Sequence, residues 1–213
     1  MPLELSIKNT KDVSSQIKDR ASARQFALNE GYYKGTCGLT AKAGDQIFFS
    51  TSYGLGGEAG QGRGRLVAAD DGLFYAQEGN PTTQLLLAPG LPFNRAFSGG
   101  NSSQSLWEFK QYLAMVNWVV FGEEQAAGLN LAANKAMEET YNVIRARVVD
   151  FTGSTGGGSA SYSDALELTY RSQIGSCKSD LLVLLAKSVG VVGIEFQENC
   201  SPAGTFKMYR ASK

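Results

Sequence analysis

Histidine is absent from all 213 residues. That omission removes the usual general base and the commonest metal ligand near neutral pH, so Ser-His-Asp catalysis, Cys-His catalysis and histidine-containing zinc sites are excluded. Cysteine is scarce: Cys37, Cys177 and Cys200 show no C-x-x-C spacing, which argues against an all-cysteine metal site within one chain. Net charge is lacking as well. Twenty basic and twenty acidic residues cancel, so nucleic acid stays an open partner that net charge does not indicate, and non-specific attachment to anionic membranes is not expected. Residues 1–42 carry a mild basic excess, seven Lys or Arg against four Asp or Glu. The chain also lacks a long apolar run. LLVLLAKSVGVVGIEF is broken by Lys187 and two glycines and is shorter than a bilayer requires, so no membrane span is expected. MPLELSIKNTK has no continuous apolar core of the secretory kind, which places the chain in the cytoplasm or in a virion assembled in the cell. Whether Cys37, Cys177 and Cys200 are free, bridged or carry an attached group is left open by the sequence. Cys177 and Cys200 flank an expected helix and can lie near each other, but the compartment argues against a bridge.

What is present is 43% hydrophobic residues, enough for one core, together with one stretch that is long, apolar and capped. In Ser105 to Phe121, Leu106, Phe109, Leu113, Val116 and Val120 recur at steps of three and four, the spacing of one helix face. Ser105 and Glu108 read as a capping box. A second apolar row, Trp107, Tyr112, Met115, Trp118 and Val119, leaves only a thin polar stripe, so this helix is expected to be covered on both sides. Trp107, Tyr112, Met115 and Trp118 are therefore the candidate interaction residues. Gly122 breaks the pattern, and Glu123 to about Asn142 reads as a second helix with a stripe of small side chains, giving a bent or antiparallel pair.

Around that pair the periods change. Leu3, Leu5 and Ile7 alternate, and Val13, Ile17, Ala21 and Arg24 allow a helix ending near Gly31, so residues 1–34 read as an N-terminal arm or surface helix. Residues 35–213 read as a single domain. Its part 35–100 is β-rich, with strand-length runs at Thr36 to Lys42, Gln46 to Thr51, Arg65 to Ala69, Leu73 to Gln77 and Thr82 to Ala88, and a hairpin signal at Ala69-Asp70-Asp71-Gly72. Ser52 to Gly64 holds six glycines in thirteen residues and is expected to be an exposed, pliable loop. Residues 101–150 contain the helix pair, and 143–213 read as a β-β-α-β-β unit. In that unit a hairpin turns through the flexible TGSTGGGSAS, a helix runs from Asp180 to Val189 between Ser179 and Gly190, and strands follow at Val191 to Gln197 and Gly204 to Arg210. The expected fold class is α+β: small antiparallel sheets packed on a central helix pair, about 105–121 and 123–142.

Few residues offer chemistry. Gly54 to Ala59 matches G-x-G-x-x-A, but a dinucleotide turn must open a helix, which Gly60, Gly62 and Gly64 forbid; no cofactor is expected. The doublets Asp70-Asp71, Glu123-Glu124 and Glu138-Glu139 point apart on any regular element, so no metal or catalytic site is assigned, although Asp70-Asp71 with Asp45 retains a weak hard-cation reading. Arg63 and Arg65, with Arg145, Arg147 and Arg171 on the expected hairpin, are candidates for phosphate or nucleic-acid contact because alternate residues share a strand face. The zero net charge favours a plainer reading, solvated strand faces paired with acids such as Glu167.

This vocabulary points to a non-catalytic structural protein that assembles with copies of itself or other subunits, such as a viral or phage capsid or tail component. The alternatives are a linker or accessory subunit of a large complex, and a histidine-independent enzyme or small-ligand binding protein.

Overall fold

A computed structural model describes residues 4–32, 46–55, 58–69, 72–77, 84–86, 140–155, 158–200 and 203–211. In chain order the elements are β1 (Glu4–Asp12), a 3-10 turn (Ser14–Gln16), α1 (Arg20–Asn29), β2 (Gln46–Leu55), β3 (Glu58–Ala69), β4 (Gly72–Gln77) and β5 (Gln84–Leu86). They continue with β6 (Asn142–Thr155), β7 (Gly158–Ile174), β8 (Cys177–Ala186), β9 (Gly190–Glu198) and β10 (Gly204–Ala211). The strands make one ten-stranded sheet in the order β1-β6-β7-β8-β9-β10-β2-β3-β4-β5, with every neighbouring pair antiparallel. Two meanders, β6 to β10 and β2 to β5, meet where β10 pairs with β2 from Gly204↔Leu55 to Ala211↔Phe48.

This overturns the α+β expectation: the described residues are mostly antiparallel sheet with a single α-helix. The helix pair at 105–121 and 123–142 falls outside the described residues except at its very end, where Thr140 is a turn and Asn142 already begins β6. The clearest error is the helix expected over Asp180 to Val189, which is strand β8. Its run from Leu181 to Ala186 is apolar at every position, and such a run has no period by which helix and strand can be told apart. Leucine favours a helix locally, but β7 and β9 pair with the segment on both sides and the sheet buries it on both faces. Ser179, read as a cap, lies in the sheet between Ser172 and Glu198.

The two glycine-rich segments are strand as well. β2 and β3 pair without a break from Gln46↔Val67 to Leu55↔Glu58, leaving Gly56-Gly57 between them, and β6 and β7 pair as far as Thr155↔Gly158, leaving Gly156-Gly157. The loop expected over Ser52 to Gly64 is thus corrected to paired strand, while the hairpin expected around TGSTGGGSAS is present with strands that run further into the glycine-rich stretch.

One face of the sheet is apolar across five strands. Ala146, Leu166, Leu168, Tyr170, Leu181, Val183, Leu185, Ile194, Phe196, Phe206 and Met208 are all buried there in cross-strand register. Helix α1 lies beside β6 and near Tyr170, on which the Arg20 and Arg24 charges act, and its Ala23 and Ala27 are completely buried. It starts later than the sequence periodicity suggested, at Asp19, whose Oδ1 accepts from Ser22 N at 2.7 Å while Ser22 Oγ accepts from Asp19 N at 3.0 Å. It ends before Gly31, which takes φ +76°. Beyond it Tyr32 is buried and donates its hydroxyl to the Asp164 carbonyl at 2.8 Å, and Gly31 O accepts from Ser188 N in the β8–β9 turn.

The opposite face is concave. Gly153 in β6 and Tyr209 in β10 have three strands between them, yet a methyl placed on Gly153 would sit 3.2 Å from Tyr209 Cβ. The sheet has curled until its first and last core strands nearly touch. Val149, Phe151, Ala165, Leu184, Ala186, Val192 and Tyr209 fill the space inside, with Leu5 and Ile7 of β1 packed against them.

Candidate functional site

The polar half of the concave face is where charged side chains converge. Alternation along the strands puts Arg145 and Arg147 of β6 with Glu167, Thr169 and Arg171 of β7 on this face, and register does the rest: Arg145 stands opposite Thr169, Arg147 opposite Glu167, and Arg171 opposite Asp180 of β8. Glu167 has no exposed side-chain surface. Its Oε1 accepts from Arg145 Nε at 2.8 Å and from Arg147 Nε at 3.0 Å, and Arg147 Nη2 reaches Oε2 at 2.5 Å. A carboxylate buried this deeply is tolerable only when charge and hydrogen bonds surround it, and the two guanidinium groups supply both.

Arg171 grips Asp180 with a two-pronged contact, Nε–Oδ1 2.6 Å and Nη2–Oδ2 2.7 Å. The hydrogen bonds from Arg171 hold the Asp180 carboxyl below the usual carboxylate range, against a smaller opposing effect of burial. Two strands further on, Lys207 Nζ lies 3.6 Å from Glu195 Oε1, and the Tyr209 hydroxyl donates to the same oxygen. Burial, then the Glu195 charge, pushes the Tyr209 phenol upward, so it stays a neutral donor. The Thr169 hydroxyl is buried between these groups with no hydrogen-bond partner among the described residues.

Sequence-expected residues fare unequally. The structure brings Arg145, Arg147 and Arg171 onto one face, and each spends its contact on an acid one strand away, as the plainer reading expected. Arg63 and Arg65 are placed by register, opposite Ser50 and Phe48. Arg63 falls in the same row as Arg147, through Glu167, Leu184, Gly193, Tyr209 and Ser50, with five strands between them in the sheet order. Trp107, Tyr112, Met115 and Trp118 lie outside the described residues, as do Cys37 and the acids Asp45, Asp70, Asp71, Glu123, Glu124, Glu138 and Glu139. Gly54 to Ala59 spans the β2–β3 hairpin, not the strand-to-helix turn that a pyrophosphate site needs. Sequence reading missed the Tyr209–Glu195–Lys207 group, because the β9–β10 register that joins it is not visible in either strand alone.

The compartment argument against a Cys177–Cys200 bridge is also corrected: they form a disulfide with Cα atoms 4.7 Å apart. With residues 179–186 in a strand and not a helix, Cys177 and Cys200 continue the β8–β9 register by two steps past Ser179↔Glu198, which brings them face to face. No helix among the described residues is long and apolar enough to cross a membrane. A comparison of the chain with protein-family models finds no match, and a comparison with curated proteins finds none either.

Proposed function

We propose that the chain is a non-catalytic structural subunit that assembles with copies of itself or with partner proteins, in the manner of a viral or phage capsid or tail component. The observation that carries this reading is how the concave face uses its charges. Arg145 and Arg147 on Glu167, Arg171 on Asp180 and Lys207 on Glu195 each tie neighbouring strands together. Groups committed to cross-strand pairs serve the sheet, whereas an active site needs groups aimed at a common external point.

One further feature bears on how copies would meet. The β1 edge is guarded against pairing with another strand: a bulge between Lys8 and Lys11, with Asn9 at φ +47°, interrupts its regular spacing and places lysines along it. Contacts between copies are therefore expected through sheet faces and not by extension past β1. Light scattering over a hundredfold concentration range tests the proposal. A mass well above 22.8 kDa that rises with concentration is expected, and a monomer at every concentration overturns it.

A further inference from the structure

We infer that the Cys177–Cys200 bridge is a lock closed after folding, so that the chain holds one fold in two covalent states, dithiol and disulfide. The bridge joins the start of β8 to the bend after β9, and the backbone aligns the two cysteines without it. Ser179↔Glu198 through Leu184↔Gly193 pair in continuous register, Asn199 N donates to Lys178 O at 3.0 Å, and Lys178 N donates to Asn199 Oδ1 at 2.6 Å. With residues 178 and 199 bonded in this way, 177 and 200 occupy the next, non-hydrogen-bonded position. There Cα atoms approach to about 4.5 Å in any antiparallel pair, and here the separation is 4.7 Å. The apolar packing lies elsewhere, toward Leu181 to Ala186 and Val191 to Phe196, so the core does not depend on the sulfurs. Both cysteines are only partly buried, which leaves them open to a small reagent.

The closing step is thiol–disulfide exchange with a small disulfide such as oxidised glutathione. The thiolate of one cysteine attacks the glutathione disulfide and releases one glutathione thiolate, and the second cysteine then displaces the other. One S–S bond is broken and one formed, two glutathione molecules leave reduced, and the two protons of the cysteine thiols pass to them. A chain made in a reducing cell would fold open and lock on meeting oxidising surroundings. The inference does not require assembly and stands apart from the structural reading above.

The test uses the full chain carrying Cys37→Ser, to keep the third thiol out of the exchange, purified under reduced glutathione. Far-ultraviolet circular dichroism should show the same strand signal reduced and oxidised. Oxidised glutathione should then consume two thiols per chain without forming dimers, at least tenfold faster in the folded protein than in urea. Locking should shift the unfolding equilibrium roughly a hundredfold toward the folded state, as expected for a closed loop of this length; the two cysteines are 23 positions apart. A Cys177→Ser/Cys200→Ser variant, also carrying Cys37→Ser, should match the reduced form. A reduced chain that is unfolded, or a folded chain that keeps its thiols or stops at the mixed glutathione disulfide, overturns the inference.

Discussion

The two faces of the central sheet are made by the same strands and solve burial in different ways. The face on the α1 side is apolar from Ala146 across to Met208, and its stability is a matter of packing. The concave face is apolar only where Val149, Phe151, Leu184 and Tyr209 meet; the rest is polar and holds a fully buried Glu167 between two arginines. Alternate residues of β7 show the contrast directly, since Leu166, Leu168 and Tyr170 face α1 while Glu167 and Thr169 face the arginines, and all five are buried. The lesson is that burial by itself does not mark an apolar core. A charged residue can be as enclosed as a leucine if the adjacent strand delivers its partners.

Four substitutions sharpen that contrast, in descending order of effect. Leu168→Ala, deep in the covered face between Ala146 and Val183, should cost about 3–4 kcal/mol in urea unfolding, the range for a large-to-small change in a closed core. On the concave face Arg147→Ala should cost about 3 kcal/mol, because it leaves the buried Glu167 with Arg145 alone. Adding Glu167→Gln to Arg147→Ala should recover part of that loss. If the double variant is as unstable as the sum of the singles, the cluster is not an electrostatic unit. Gly193→Ala should cost about 2 kcal/mol, since its methyl would fall 2.9 Å from Leu184 Cδ1 and 3.0 Å from Tyr209 Cδ1. The Tyr209 ring is held by Glu195 and cannot simply turn away.

The smallest effect should be one of pH. The Asp180 carboxyl titrates lower in the folded protein than in the unfolded chain, so its contribution is present above about pH 4 and is lost as pH falls through the folded value. Glu198 runs the other way: burial raises its carboxyl, so acid favours its folded form. Asp180→Asn should flatten part of the acid limb of a stability–pH profile and leave the neutral plateau lowered by less than about 1 kcal/mol. An unchanged acid limb would mean that the Arg171–Asp180 contact contributes nothing in solution.

How much of this was legible beforehand varies by element, for a physical reason in each case. Strands β1, β2, β4, β9 and β10 and the β3–β4 hairpin were readable because alternation and turn residues are local properties. The pairing of Arg145 and Arg147 with Glu167 was weighed as the plainer reading, because alternation alone groups residues by face. β8 was misread because a uniformly apolar run carries no period. The β6–β7 hairpin was legible from its alternation, with its glycine and serine tip drawn too long, whereas β2–β3 was misread as a loop because glycine weakens a strand locally while register with the neighbouring strand restores it. The disulfide was misjudged by reasoning from compartment before the strand register that aligns the cysteines was known.

By itself the chain of residues determined which chemistry is closed to this protein, since no fold can supply a missing imidazole, and where most strands and a helix ending near Gly31 lie, since those signals are written in neighbouring residues. Only the tertiary structure decided that Leu181 to Ala186 is a strand, that β6 curls round to meet β10, that Glu167 is shared by two arginines and that Cys177 meets Cys200. Each of those outcomes depends on pairing between segments far apart in sequence, and that pairing is set by the free energy of the whole sheet, which no local window contains.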